Sequence, residues 1–171
     1  RSVLMHIINA IKTGDVNEAP RLEAMLSHTI QSNKEREMAY VRQATHDALT
    51  GCKNRRAFDS DIAELLNAQQ PFAMALVDID NFKSINDTLG HLTGDIVLRN
   101  VAREGIQIMQ PHHVSVYRYG GEEFAVIFQA EQMSSALSLL EAWRTAVEKR
   151  VWREENLRVT FSGGLGVWHF E

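Results

Sequence analysis

The spacing of apolar residues changes near residue 46 and divides the chain into two parts. Over residues 1–46 the apolar side chains recur at helical spacing. A first stripe ends at Thr13-Gly14-Asp15, and a second opens near Pro20, a residue that is tolerated in the first turn of a helix. This pattern predicts two helices, the second of which extends over residues 20–46.

The predicted second helix has an almost entirely polar middle, over residues 31–37. A helix with so few apolar positions is typical of a segment that bridges solvent or needs a partner chain. We therefore interpret residues 20–46 as a connecting helix, which in a dimer would form a coiled coil. The alternative is a helix that packs back on its own domain.

From residue 47 onward, short apolar runs of strand length alternate with helical stripes. Asn54 is a favourable N-cap for a helix that Gln69-Gln70-Pro71 ends. The elements predicted after it are a strand over Phe72–Ile79, a helix over residues 95–109, strands over residues 114–119 and 123–129, a helix over residues 134–149 and a strand over residues 157–168. From Phe72 the order is β-α-β-β-α-β, which predicts an α+β fold with a ferredoxin-like antiparallel sheet and its helices on one face.

Gly120 and Gly121 join the two strands of the predicted hairpin. Glycine enters the turn conformations with φ > 0 without a steric penalty, so paired glycines between two strands predict a two-residue turn. Two carboxylates, Glu122 and Glu123, follow the turn directly. Acids at the start of a strand indicate either solvent exposure or a metal site.

A second acidic group, Asp78-Ile79-Asp80, ends the strand that begins at Phe72. Asp78 continues the apolar face of that strand at period two, and a carboxylate there is costly to bury unless it is paired or bound to metal. If the two strands are neighbours, Asp78 and Glu122 or Glu123 lie at the same edge of the sheet. This arrangement suits Mg²⁺ ions that hold a triphosphate. The alternative is that the acids cap strand ends in water.

Residues 80–95 are rich in turn formers and glycines, with one lysine, directly after a strand. This composition predicts a loop whose backbone N–H groups contact phosphates, with Lys83 adding a point charge. Asn86 and Asp95 offer an amide and a carboxylate that can recognise a guanine edge. Asn and Asp are also common turn and N-cap residues, and a lone histidine such as His91 is more often structural than a ligand.

Composition restricts the class of protein. The chain has 171 residues, 44% hydrophobic and 23% charged, which is ordinary for a soluble globular domain. Its net charge of −4 argues against a nucleic-acid partner. The single cysteine, Cys52, excludes an internal disulfide and a cysteine-based zinc site, and fits a reducing compartment. No apolar run approaches the eighteen residues of a membrane span.

Several blocks of residues resemble one known family in order and spacing. They are Asp47-Ala48-Leu49-Thr50-Gly51, Asn54-Arg55-Arg56, residues 77–95 and Arg118-Tyr119-Gly120-Gly121-Glu122-Glu123-Phe124. Together they resemble GGDEF-domain diguanylate cyclases, in the GGEEF variant, which is a common and active one. The resemblance assigns residues 47–171 to the cyclase domain and residues 1–46 to a helical connector.

The resemblance implies a fold and an activity. Such domains have a nucleotidyl-cyclase or palm-like antiparallel sheet with packing helices. They join two GTP molecules into cyclic di-GMP and release two pyrophosphates, with Mg²⁺ as cofactor and Mn²⁺ as a substitute. Each domain holds one GTP and two domains meet, so the enzyme is a homodimer. An upstream sensor is the expected partner, and no nucleic acid is expected.

Transferred by position, the resemblance also implies the site residues. The Mg²⁺ ligands are Asp78, the carbonyl of Ile79, and Glu122. The catalytic residues are Glu122, Glu123 and Lys83, with Glu122 taking the proton from the attacking 3′-hydroxyl. The substrate-binding residues are Asn81, Phe82, Lys83, Asn86, His91 and Asp95.

Two departures from the family pattern lead to further expectations. Pro111 and Val114 occupy the positions of the Arg-x-x-Asp pair that binds inhibitory product, so we expect no feedback inhibition of the usual kind. The family continues after residues 161–164 with a helix carrying Lys and Arg that contact the triphosphate. We expect that helix, and residues before Arg1, to belong to a longer parent protein. The cyclase domain would be cytoplasmic, and its parent could be attached to a membrane.

Two alternative functions remain open at the level of sequence. One is a catalytically silent GGDEF module that binds GTP or serves as a dimerisation platform. The other is a related cyclase that makes a mixed cyclic dinucleotide, although Asp95 favours guanine.

Overall fold

The computed structural model describes residues 2–14 and 19–171. Asp15, in the predicted stop of the first helix, lies outside the described residues. The helices are α1 (Ser2–Thr13), α2 (Ala19–Thr45), α3 (Arg55–Asn67), α4 (Phe82–Leu89), α5 (His91–Met109) and α6 (Ala136–Lys149). The strands are β1 (Phe72–Ile79), β2 (Ser115–Arg118), β3 (Glu123–Gln129) and β4 (Phe161–Trp168). Contacts divide the chain into two compact units, residues 1–44 and 45–171.

The first unit consists of α1 and most of α2. The helix α2 is 27 residues long and none of its side chains is buried. Its exposed apolar side chains include Leu26, Ile30 and Val41. A helix of this length without buried side chains is typical of a segment that contacts a partner. No helix in the described part of the chain is long and apolar enough to cross a membrane.

The second unit contains a four-stranded antiparallel sheet in the order β2-β3-β1-β4. The central strand β1 pairs with β3 on one side and with β4 on the other. This order follows from a β-α-β-β-α-β chain in which each half contributes one central and one edge strand. The predicted ferredoxin-like fold is therefore confirmed.

Helices cover both faces of the sheet. On one face, α5 and α6 pack over alternate residues of β1 and β3, and this layer contains the main core. On the other face, α3 packs against Phe72, Tyr117, Ala125 and Ile127. The sequence predicted helices on one face only, because α3 precedes the first strand and its side could not be deduced from the element order.

Local signals account for α3. The side chain of Asn54 accepts a hydrogen bond from the Ala57 N–H at 2.9 Å, which confirms the predicted N-cap. Ala57, Phe58 and Leu65 are buried on one side of the helix. The helix ends at Asn67, four residues before Pro71.

The segment predicted as a loop after β1 is mostly helical, and that prediction is wrong. The helix α4 covers Phe82–Leu89, and α5 begins at His91 rather than at residue 95. Phe82 and Ile85 are buried at a spacing of three, which is the helical signal that the polar turn formers around them obscured. Gly90, with φ 88°, separates the two helices in a conformation that glycine adopts without strain.

The last strand is shorter than predicted. It begins at Phe161 rather than at residue 157. The pair Gly163-Gly164 lies within the continuous strand rather than loosening it, opposite Val77 and Leu76 of β1. A Cβ on Gly163 would collide with the Leu76 carbonyl oxygen, so the close approach of β4 to β1 requires glycine at this position.

Candidate active site

The two predicted acidic groups meet at one edge of the sheet. Asp78 is directly opposite Glu123 across the β1–β3 pair. One residue further on, the Ile79 N–H donates to the Glu122 carbonyl oxygen at 3.2 Å. Directly opposed residues on antiparallel strands have their Cβ atoms about 5 Å apart. The register therefore brings together the strand ends that carry Asp78, Ile79, Glu122 and Glu123.

Asp78 is exposed, in contrast to the burial that the apolar face of its strand predicted. Phe72 and Met74 on that face are covered, but Leu76 is 38% exposed and Asp78 follows it beyond the reach of α3. The carboxylate therefore bears little desolvation penalty, and the burial argument for a bound metal does not hold. The neighbouring carboxylates of Glu122 and Glu123 still suit a cation at this edge.

The turn between β2 and β3 differs from the predicted two-residue hairpin. Four residues, 119–122, lie between the strands, and the N–H groups of Tyr119 and Gly120 both donate to the Glu123 carbonyl, at 2.8 and 3.2 Å. The positive-φ glycines of the described chain are Gly14, Gly51 and Gly90, so neither turn glycine needs that freedom. Gly120 instead leaves room for a side chain, because a Cβ there would lie 3.2 Å from the Glu123 carboxyl group.

One guanidinium holds the turn in place. Arg118 donates to the Gly121 carbonyl oxygen from Nε (3.3 Å) and from the second terminal nitrogen (3.0 Å). Its first terminal nitrogen donates to both carboxylate oxygens of Asp47, at 3.2 and 3.1 Å. Arg118 thus links the residue just before Glu122 to the segment that follows α2. Sequence reasoning identified both residues only as parts of motifs.

The Asp47 carboxylate is stabilised in its charged form. It accepts hydrogen bonds from the N–H and hydroxyl of Thr50, at 2.9 and 2.7 Å. Partial burial raises the pKa of Asp47, but the Thr50 hydrogen bonds and the positive charge of Arg118 outweigh burial, so the pKa lies below its usual value. A charged Asp47 keeps Arg118 paired at neutral pH.

The other acid of the strand end, Asp80, has a different environment. Its two carboxylate oxygens accept hydrogen bonds from the Thr160 hydroxyl at 2.7 Å and from the Ser162 hydroxyl at 2.8 Å. Its N–H donates to the Thr160 carbonyl at 2.9 Å. Sequence reasoning assigned Asp80 no role, because its partners lie 80 and 82 residues away along the chain.

The N-terminus of α4 opens beside this edge. Asn81 adopts the left-handed conformation, with φ 55° and ψ 29°, and provides no side-chain cap for the helix. The first intrahelical bond is from the Ile85 N–H to the Asn81 carbonyl, which leaves the preceding N–H groups of α4 outside the helical hydrogen-bond pattern. Lys83 is exposed, whereas the Phe82 side chain is buried in the core. Because its side chain is buried, Phe82 offers only its backbone to a ligand.

The predicted guanine pocket lies between α4 and α5. The Oδ1 atom of Asn86 is buried and has no hydrogen-bond partner. Gly94 allows this position, because a Cβ there would collide with Asn86 Oδ1. Asp95 follows Gly94 and is partly buried, while His91 is exposed at the start of α5. Among the described side chains, Asn86 Oδ1 is a buried acceptor without a partner, and such an atom is costly unless a donor reaches it.

Comparison with known proteins identifies the family. A family model described as "Diguanylate cyclase, GGDEF domain" matches residues 44–171. The chain belongs to this family. Diguanylate cyclase VdcA from Vibrio cholerae is 40% identical over 116 residues, which are 68% of this chain and 34% of that protein. The chain therefore spans about a third of the length of this curated relative.

Solved structures of GGDEF domains share the fold. The coiled coil and GGDEF domain of DgcB from Caulobacter crescentus, in complex with c-di-GMP, gives a TM-score of 0.71 at 32% identity and covers 88% of this chain and 83% of that one. The active GGEEF domain of a diguanylate cyclase from Vibrio cholerae gives 0.61 at 32% identity, with 70% and 78% covered. These likenesses confirm the fold class of this GGDEF domain, including the N-terminal helices in the first case.

The acidic edge of this GGDEF domain suits a hard cation. In the described part of the chain, no three His, Cys, Asp or Glu side chains are grouped closely enough to hold a metal ion. The predicted ligand set is smaller, with the carboxylates of Asp78 and Glu122 and the Ile79 carbonyl. Mg²⁺ is commonly bound through one or two protein carboxylates, with water and phosphate oxygens completing its shell. The oxygen donors at the strand ends fit this pattern.

The positions of the expected inhibitory pair lie at the far end of β2. Pro111 is in a short 3₁₀ helix, and Val114 is 5% exposed within the main core. Neither side chain carries a charge that could bind a phosphate or a guanine edge. The expectation that product does not inhibit at this position remains a prediction.

Proposed function

We propose that this GGDEF domain is an active diguanylate cyclase that joins two GTP molecules into cyclic di-GMP and releases two pyrophosphates. The observation that supports it most directly is the register that places Asp78 opposite Glu123 and bonds Ile79 to Glu122. An assembly of carboxylates at paired strand ends has no structural purpose that the fold requires. It supplies the oxygen ligands and the base that the reaction needs.

The substrate base is guanine in this proposal. The buried, unpartnered Oδ1 of Asn86 accepts a hydrogen bond from the guanine edge, and the Asp95 carboxylate accepts from another donor of the same edge. Adenine lacks the N1–H and the 2-amino group that these acceptors require. A site with one buried and one partly buried acceptor discriminates against a base that leaves them unpaired.

The protein's own residues orient and deprotonate the reacting groups. The N–H groups at the start of α4, together with Lys83, hold the phosphates, with Asn81 shaping the turn and His91 near the guanine pocket. Glu122 takes the proton of the attacking 3′-hydroxyl, and Glu123 adds a second carboxylate beside it. Mg²⁺, or Mn²⁺ in its place, would be held by Asp78, the Ile79 carbonyl and Glu122 and would stabilise negative charge on the attacking and leaving oxygens.

The reaction requires two copies of the domain, because each site holds one GTP. We propose that the protein works as a homodimer and that the helices of residues 1–46 pass a signal from an upstream sensor by setting the geometry of the two sites. The absence of buried side chains on α2 and its exposed Leu26, Ile30 and Val41 support a partner helix along this segment.

The full-length protein mixed with GTP and Mg²⁺ tests the proposal. We expect cyclic di-GMP and pyrophosphate, and a mixture of ATP and GTP should give no mixed dinucleotide. Glu122→Gln should lower kcat by about 1,000-fold because it removes the base. Glu131→Gln, at an exposed acid in a 3₁₀ helix, is the matched control and should retain activity. GTP binding without product at high protein concentration would instead identify a silent module.

Control by product is tested separately. Because Pro111 and Val114 replace the charged pair, initial rates should be unaffected by added cyclic di-GMP except through competition with GTP. Tight noncompetitive inhibition would contradict this part of the proposal.

A further inference from the structure

We propose that Asp80 is a positioning residue for the cyclase reaction, acting through the hydroxyls of Thr160 and Ser162. This inference rests on the proposed function, because it assigns Asp80 the task of fixing the strand end that carries Asp78 and the Ile79 carbonyl. Asp80 itself holds neither metal nor substrate. Its role is to join the end of β1 to the start of β4.

Three hydrogen bonds make this connection, which we call the Asp80 clamp. The Thr160 hydroxyl donates to one carboxylate oxygen of Asp80 at 2.7 Å, and the Ser162 hydroxyl donates to the other at 2.8 Å. The Asp80 N–H donates to the Thr160 carbonyl at 2.9 Å. Hydrogen bonds from a hydroxyl to an ionised carboxylate are short and about twice as strong as neutral ones. The side chain thus extends the β1–β4 pairing beyond its last ladder position, Ile79 opposite Phe161.

The clamp lies where the backbone changes direction. Asp80 connects Ile79, the last residue of β1, to Asn81, whose left-handed conformation turns the chain into α4. A non-glycine residue in this conformation is maintained by the surrounding structure. Because the clamp fixes the residue between them, it orients both the Ile79 carbonyl and the open N-terminus of α4.

The clamp also acts on Asp78. Ser162, which donates to Asp80, is the residue opposite Asp78 in the β1–β4 register. Asp80 follows the end of β1, two residues after Asp78. Holding Ser162 against Asp80 sets the distance between β4 and the strand end on which Asp78 sits.

Asp80 is satisfied by neutral donors rather than by a cation. Among the ion pairs of the described residues, none includes Asp80. Each of its oxygens already accepts a hydrogen bond from a hydroxyl, which distinguishes it from Asp78, the acid assigned to the metal. Asp80 therefore adds negative charge to the edge while its geometry is fixed by β4.

The experiment compares the two ends of the clamp in the full-length protein. Asp80→Ala removes the acceptor, and the double variant Thr160→Val, Ser162→Ala removes the donors while leaving every acid in place. Ser138→Ala is the matched control, because its hydroxyl donates to a backbone carbonyl on the exposed surface of α6. The measurements are thermal unfolding, initial rates over a range of GTP and Mg²⁺ concentrations, and amide hydrogen exchange.

We expect Asp80→Ala and the donor double variant to lower kcat by the same factor, about 10- to 100-fold, as for partners that orient a metal ligand. Combining all three substitutions should cause no further loss, because both ends belong to one unit. The Mg²⁺ concentration for half-maximal rate should rise by about tenfold. Amides of residues 79–84 should exchange faster, with exchange in the rest of the sheet nearly unchanged.

Two results would overturn the inference. If the donor double variant keeps full activity while Asp80→Ala is inactive, Asp80 acts directly on metal or substrate. If exchange accelerates throughout the sheet and the activity loss follows the loss of melting temperature, the clamp is only structural. A wild-type protein that makes no cyclic di-GMP would contradict the proposed function and not the clamp. In that case hydrogen exchange alone tests the clamp, and unchanged exchange of residues 79–84 in both variants would overturn it.

Discussion

The polar groups of the β2–β3 turn are hydrogen-bonded within the protein, whereas the pocket between α4 and α5 contains one that is not. In the turn, Arg118 satisfies the Gly121 carbonyl and the Asp47 carboxylate with four hydrogen bonds. In the pocket, Asn86 Oδ1 is buried and has no partner at all. Polar groups that the protein satisfies by itself hold the scaffold, whereas the unsatisfied acceptor has a cost that the guanine edge would relieve in the proposed function. The contrast predicts that substitutions in the turn reduce stability and those in the pocket reduce GTP affinity.

The largest expected effect is that of Gly94→Ala in the pocket. The added Cβ collides with Asn86 Oδ1 and forces the amide out of position, at a cost of about 3 kcal/mol. We expect the KM for GTP to rise by about 100-fold. Gly105→Ala is the matched control on the same helix, since its Cβ would lie 2.6 Å from the Trp143 ring. It should destabilise the domain without changing the KM, and an equal rise in KM would contradict the comparison.

The second effect concerns the turn. Arg118→Met leaves the partly buried Asp47 carboxylate without its cation and the Gly121 carbonyl without its donor, and should lower the free energy of unfolding by about 2 kcal/mol. Urea denaturation measures this loss. Arg144→Met removes a guanidinium that pairs with Glu141 and Glu148 on the exposed surface, and its effect on the free energy of unfolding should be much smaller. Equal losses in the two variants would show that the Arg118 contacts are no stronger than surface pairs.

A third substitution separates binding from stability in the pocket. Asn86→Ala deletes an acceptor that has no partner in the protein, so the free energy of unfolding should change by less than about 0.5 kcal/mol. The KM for GTP should rise by about tenfold, as expected for one lost hydrogen bond to the base. Asn54→Ala deletes the N-cap of α3 and should do the reverse, with about 1 kcal/mol less stability and an unchanged KM.

The smallest effect is the pH dependence of Asp47. Its pKa is lowered in the folded protein, so its charge stabilises the fold above the ordinary carboxyl pKa of about 3.9, and this contribution is lost as pH falls through the lower folded value. The difference in free energy of unfolding between the wild type and Asp47→Asn should therefore be largest near neutral pH and shrink below about pH 4. A difference that grows on acidification would contradict the assignment of Asp47 as a charged partner of Arg118.

The sheet could be predicted because its strands have strong local signals. Apolar runs bounded by Pro71, by the paired glycines and by acids predict all four strands. Together with the helical stripes between them, they predict the order of strands and helices along the chain, from which the sheet topology follows. The helix α4 was missed for the opposite reason. Its Asn, Asp and Ser residues are turn formers, and only Phe82 and Ile85 have the helical spacing. These two side chains pack in the main core, and this packing stabilises the helix in spite of the weak propensity of its other residues.

The site could be predicted only where a local motif carries it. Asp78, Glu122 and Glu123 follow from strand ends, and the register of β1 and β3 brings these ends together as expected. Asp80 could not be assigned, because its partners are specified by the β1–β4 register and not by any nearby residue. The turn conformation was predicted wrongly. Gly120 does not adopt a positive φ, and its missing side chain leaves room for the side chain of Glu123. The roles of the site residues stay predictions until the variants above are measured.

The central position of β1 has a consequence for the biogenesis of the domain. Both neighbours of β1 come later in the chain, and Thr160 is synthesised 80 residues after Asp80. At a translation rate of about 5–20 residues per second, this interval lasts about 4–16 s. During that time Phe72–Ile79 is an apolar strand without its β4 neighbour, open to pairing with other nascent chains. The β1–β4 pairing and the Asp80 clamp are therefore among the last parts of the domain to form, and conditions that slow synthesis of residues 81–160 should increase aggregation.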